Sequence, residues 1–133
     1  MMNAHDSQSL TPSSIPTVPT PISPSAHAVL DYAVAATFFC AGAWLMRRHR
    51  KAANLAFLNG AMVAGMSMLT DYPGGLWRVL PFRGHRIGDI AQAGLAGFGP
   101  ALFGFAGDEE AKFFYGQAAS EVGVIAATDW NAA

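Results

Sequence analysis

Residues 69–89 read LTDYPGGLWRVLPFRGHRIGD, and this stretch decides the fold. It closes one half of the chain with Thr70-Asp71-Tyr72 and opens the next with His85 and Asp89. Both signals recur at the outer edges, with His27 and Asp31 upstream and Thr128-Asp129-Trp130 downstream. His85 lies 58 residues after His27, and the same offset takes Asp31 to Asp89, Ala53 to Ala111 and Phe57 to Tyr115. It also takes Asn59 to Gln117, Gly65 to Gly123, Thr70 to Thr128, Asp71 to Asp129 and Tyr72 to Trp130, with no gap. Self-similarity at one fixed period marks a duplicated structural unit. The unit predicted here is a two-helix hairpin, present over 26–72 and again over 84–130, with a link over 73–83.

Working outward, four apolar runs occupy 28–46, 53–70, 87–105 and 113–128. Each approaches the ~20 residues that cross a bilayer's hydrocarbon core. A helix on the surface of a soluble bundle needs a polar face, yet charged residues stand between these runs rather than along them. Charged residues make up 13% of the chain and hydrophobic ones 52%. That charged share is about half of the usual ~25%. The expectation is an all-α membrane four-helix bundle of two tandem hairpins. Small residues at 60, 61, 64 and 65 and at 94, 96, 97 and 99 would let helices approach closely, as they do in lipid.

Residues 1–25 hold five prolines, no Lys and no Arg. They lack the basic and apolar regions of a signal peptide and are expected to form a disordered tail. The single cysteine, Cys40, excludes an intrachain disulfide and reads as a small core residue. Lys and Arg are denser in the first and third loops (Arg47, Arg48, Arg50, Lys51 and Lys112) than in the central link (Arg78, Arg83 and Arg86). By the positive-inside rule those two loops are expected in the cytoplasm, and both termini and the central link outside. In the link, Leu76, Trp77, Val79, Leu80 and Phe82 are interleaved with Arg78 and Arg83, which suits a segment lying in the membrane interface.

These residues together resemble the bacterial SPW-repeat membrane proteins. The resemblance rests on the duplicated two-helix unit, the phrase Thr70-Asp71-Tyr72, Gly75-Leu76, Arg78, Leu80-Pro81, His85, Asp89, and the ending Leu102-Phe103-Gly104-Phe105. The name-giving tripeptide falls on Gly99-Pro100-Ala101 and, in the first copy, on Gly42-Ala43-Trp44. The resemblance implies a small multi-pass membrane protein and no particular activity.

Two sets of residues could carry chemistry. His27, Asp31, His85 and Asp89 form two His-x-x-x-Asp pairs, each one helical turn apart on one side of a helix. Placed by the repeat at one depth, and joined by Asp71 and Asp129, they would form an outward cluster of two imidazoles and four carboxylates. The ordinary reading has Asp31 and Asp89 in first helical turns, where carboxylates favour the N-terminus. It has Asp71 and Asp129 paired with a histidine or with Arg78, Arg83 or Arg86. The sharper reading is a metal site, since imidazole and carboxylate suit zinc, iron or manganese. The spacing is less specific than a zinc-finger pattern, and no metal or other cofactor is assigned. Glu121 replaces Val63 of the first copy and falls inside an apolar run one turn from Gln117, with Gln92 and Asn59 as expected neighbours. An ionisable group at that depth is a functional candidate by default; hydrogen bonding between helices is its ordinary role.

No GxGxxG, P-loop, CxxC or GxSxG motif is present. The expected protein is therefore non-enzymatic, a structural or interaction component with the lipid bilayer and a homo-oligomer or larger membrane complex as partners. Nucleic acid is not an expected partner. The alternatives are a small transporter using Glu121 and a membrane metal-binding protein using the His/Asp cluster.

Overall fold

A computed structural model describes residues 17–132. Four helices follow in order: α1 over Pro24–Leu45, α2 over Arg50–Leu69, α3 over Phe82–Leu102 and α4 over Ala111–Ala127. The most extensive packing is within each hairpin, α1 on α2 and α3 on α4, and α2 against α3 joins the two hairpins. α1 and α2 are each long and apolar enough to cross a membrane. α3 carries Arg83, Arg86 and Asp89 in its first half, and α4 has only 17 residues, about 25 Å of helix.

The repeat runs further upstream than His27. Two-residue strands β1, Thr70–Asp71, and β2, Leu80–Pro81, pair in parallel with Thr70 opposite Leu80. The counterpart 58 residues away is a parallel bridge between Ile22 and Thr128. Ile22 N–H donates to the Ala127 carbonyl at 3.0 Å, and Asp129 N–H donates to the Ile22 carbonyl at 2.9 Å. The expected disordered tail is corrected from Ile22 onward, while residues 17–21 run without regular structure and residues 1–16 lie outside the described residues. Pro24 does not prevent the helix but starts it, since its missing N–H falls where a first-turn N–H would have no intrahelical partner. Ser23 Oγ caps it by accepting from the Ala26 N–H at 3.2 Å. α3 likewise begins at Phe82, two residues before the predicted 84.

These earlier starts also correct the placement of Asp31 and Asp89. Each is the eighth residue of its helix rather than part of the first turn, so the helix dipole does not account for them. As far as Pro81 the central link is not helical. After Pro73-Gly74-Gly75 it runs irregularly into β2, with Leu76, Trp77 and Val79 exposed and Arg78 at φ 47°. A Cβ on Gly75 would overlap the Thr70 carbonyl, so the turn requires glycine there.

α3 ends in a Schellman motif. Gly104 takes φ 73°, Phe105 N–H donates to the Pro100 carbonyl at 2.8 Å, and Gly104 N–H donates to the Ala101 carbonyl at 3.1 Å. At this loop-one end, Phe38, Leu45, Leu55, Ala96, Phe105 and Phe114 form the larger apolar cluster. His49 caps α2 by accepting from the Ala52 N–H at Nδ1, so Nε2 carries its proton and donates to Asp108 at 2.9 Å, tying the first loop to the third. At the opposite end a second apolar cluster of Ala28, Tyr72, Phe82 and Trp130 covers the polar site described next.

Candidate functional site

The site is built from the repeat. α1 presents His27 and Asp31, and α3 presents His85 and Asp89, each pair one turn apart, so the two pairs meet where α1 and α3 face each other. His27 Nε2 lies 3.3 Å from Asp31 Oδ1 and 3.0 Å from Asp89 Oδ2. His85 Nε2 lies 3.2 Å from Asp31 Oδ2 and 2.9 Å from Asp89 Oδ1. The four side chains form a closed ring in which histidine and aspartate alternate. Both histidines are 1% exposed. His27 packs edge-on against Phe82 and Trp130, and His85 lies beside Tyr72 and Phe82.

The outer nitrogens are held reciprocally. His85 Nδ1 is 2.6 Å from Thr70 Oγ1, and His27 Nδ1 is 2.9 Å from Thr128 Oγ1. Each threonine hydroxyl already donates its one proton backward along its helix, Thr70 to the Met66 carbonyl and Thr128 to the Val124 carbonyl, both at 2.7 Å. The threonines must therefore accept, and both imidazoles carry a proton on Nδ1. Both Nε2 atoms then face two carboxylates from inside the ring. A bare nitrogen lone pair facing a carboxylate is repelled, so each Nε2–carboxylate contact calls for a proton or a metal ion between the two.

Asp31 has two further donors. Ser67 Oγ reaches Oδ2 at 3.2 Å and Tyr72 Oη reaches it at 2.7 Å. Burial and the Asp31 carboxylate hold the Tyr72 phenol well above its usual range, so it remains a donor. The symmetry fails here, since the second copy has Ile125 and Trp130 in place of Ser67 and Tyr72. Asp89 has neither donor and is the more exposed of the two aspartates.

The expected cluster of four carboxylates is corrected to two. Asp71 is exposed, and Asp129 turns its Oδ1 to the Asn131 N–H. Among the described residues neither forms an ion pair with a histidine or an arginine. Arg78 donates to the Gly75 carbonyl at 3.4 Å and stays on the surface, and Arg83 reaches Asn131 at 2.9 Å. Thr70 and Thr128 take the places beside the histidines expected of Asp71 and Asp129, while Ser67 and Tyr72 donate to Asp31.

Glu121 is buried on α4. Gln92 Nε2 donates to Glu121 Oε1 at 3.1 Å and to Asn59 Oδ1 at 3.0 Å, while Asn59 Nδ2 donates to the Leu55 carbonyl at 2.9 Å. Gln92 and Asn59 are thus its neighbours as expected. Gln117 is half-buried and lies outside this chain of hydrogen bonds. Glu121 Oε2 is buried without a partner. It shares a cavity of about 30 Å³ with His27, Asp31, Asp89 and Gln92, room for a water molecule. Cys40, expected in the core, is exposed on α1.

No family model, no curated protein and no solved structure matches this chain.

Proposed function

We propose that this is a multi-pass integral membrane protein of the bacterial inner membrane, a structural or interaction component in which the His/Asp ring clasps two hairpins together. One observation carries the reading: beside its apolar core the bundle buries a set of polar side chains, while large apolar ones cover much of its outer surface. Its interior holds His27, Asp31, Asn59, Ser67, His85, Gln92 and Glu121, while Val29, Trp44, Ile90, Phe98, Leu102 and Val122 face outward. Polar groups buried between helices beneath an apolar exterior suit a lipid solvent, where side-chain hydrogen bonds join helices. The apolar span of α1 and α2 and the motif resemblance to SPW-repeat proteins support the same reading. Arg48 lies 4.4 Å over the Trp44 ring, an aromatic–basic pair suited to the cytoplasmic interface. All four helices cross, the first and third loops are cytoplasmic, and the ring lies near the outer face with both termini outside.

The test is carbonate extraction of membranes followed by mass determination in detergent. The protein is expected to resist extraction and to run as a defined oligomer. Recovery as a soluble monomer would overturn the reading.

The cavity shared by Glu121 and the ring favours a second reading, a small proton- or cation-conducting protein. In reconstituted vesicles Glu121→Gln would then abolish flux, and flux unchanged by this substitution removes the reading.

A further inference from the structure

We infer that His27, Asp31, His85 and Asp89 form a binding site for one divalent transition-metal ion of the zinc, iron(II) or manganese(II) class. The ring alone supplies the donors, whatever surrounds the bundle. Offering one donor atom each, the four residues keep those atoms within 4.8 Å of one another. The four nitrogen–oxygen edges measure 2.9–3.3 Å. Donors bound tetrahedrally at about 2.0–2.1 Å stand roughly 3.3 Å apart, so only small movements bring these side chains onto a common ion. Each carboxylate turns one oxygen toward each imidazole. A cation at the centre therefore meets two nitrogens and either two or four oxygens.

A second, independent observation points to a ligand inside the ring. His85 Nε2 is buried and lies 2.9 and 3.2 Å from carboxylate oxygens, yet makes a hydrogen bond with neither. A proton on that nitrogen would be aimed well at neither oxygen, whereas an ion between them needs only the lone pair directed into the ring. The supporting contacts match those of a metal site as well. Metal-bound histidines commonly donate their other N–H to an oxygen that fixes tautomer and ring orientation, as His27 and His85 do to Thr128 and Thr70. Ser67 and Tyr72 orient the Asp31 carboxylate in the same way. Two carboxylates balance the charge of one divalent ion. Imidazole nitrogen in the donor set selects zinc or iron over magnesium and calcium, and the two carboxylates also admit manganese.

The test uses tag-free, detergent-purified full-length protein, stripped with a chelator and dialysed against zinc or, separately, magnesium. The bound metal is then quantified, and the zinc form is examined by X-ray absorption. The expected result is one zinc and no magnesium per chain, with nitrogen and oxygen neighbours at about 2.0–2.2 Å that include imidazole. His27→Gln/His85→Gln should lose the zinc, while Asp71→Asn, Asp129→Asn and His49→Ala should keep it. Thr128→Val leaves all four donors in place and should weaken zinc binding by about 10–100-fold. Zinc absent after dialysis, a sulfur shell from Cys40, equal uptake of magnesium, or zinc retained by the double-histidine variant would each overturn the site. If that variant does not fold, the absorption spectrum of the unaltered chain decides.

Discussion

Thr70, from the first hairpin, accepts a hydrogen bond from His85 of the second at 2.6 Å. Thr128 and His27 repeat the contact in the opposite sense. Each hairpin supplies the acceptor for the other's imidazole, so the ring also functions as a clasp between the two copies. Reciprocal contacts of this kind are what a twofold relation between repeats produces. Replacing Thr70 by valine leaves a buried N–H without its acceptor, a loss of about 1–3 kcal/mol. Unfolding of the purified protein by denaturant should show Thr70→Val and Thr128→Val destabilised by similar amounts. Because both threonines serve one ring, the double variant should depart from additivity.

Much of this clasp is legible in the sequence. The 58-residue offset brings His27, Asp31, His85 and Asp89 to one depth, and one-turn spacing puts each pair on one helix side. The choice between Thr70 and Asp71 follows from a different periodicity. Residues 70–72 leave the helix and run extended, so alternate side chains point to opposite faces. Thr70 and Tyr72 are buried and Asp71 is exposed; Thr128 and Trp130 repeat the pattern around Asp129. The contribution of Ile22 could not be read off, because the parallel pairing that captures it depends on where α4 ends in space. The exposure of Cys40 reflects the outward face of α1, which composition alone does not distinguish from the inward one.

Tyr72 tests the asymmetric side of the ring. Its hydroxyl donates to Asp31 at 2.7 Å, and Tyr72→Phe should cost about 1–3 kcal/mol by removing a hydrogen bond to a charged group. The effect has a pH signature. The folded phenol titrates above its ordinary 10.0, so the folded state retains a proton that the unfolded chain has lost. The stability Tyr72 supplies is complete below that value and declines as pH rises past it. A stability–pH curve should therefore fall less steeply on its alkaline limb in Tyr72→Phe than in the unaltered protein. Identical alkaline limbs would show that the hydroxyl is not held by Asp31.

Asp71→Asn and Asp129→Asn should each change stability by less than about 0.5 kcal/mol, since both lie outside the ring on the surface. Asp89→Asn should cost several times more, because it removes one of only two carboxylates facing both imidazoles. The same denaturant titration checks all three. A large effect at Asp71 would return it to the site.

Gly99 and Leu55 test the packing that positions the hairpins. A Cβ on Gly99 would stand 2.6 Å from Leu55 Cδ2 and 2.7 Å from Cδ1, well inside contact distance. Leu55 is fully buried at the contact between α2 and α3 and lies in the larger apolar cluster, so it has little room to turn away. Gly99→Ala should therefore cost about 1–3 kcal/mol through overpacking, although alanine is the better helix former by about 1 kcal/mol. The two terms oppose each other and overpacking should prevail, so that denaturant unfolding shows Gly99→Ala less stable than the unaltered protein. Shortening the partner relieves the clash: Gly99→Ala combined with Leu55→Val should be more stable than the sum of the two single effects predicts. A purely additive pair would mean that α2 and α3 do not meet at this point, and the register that brings His85 to Thr70 would then have to be set elsewhere.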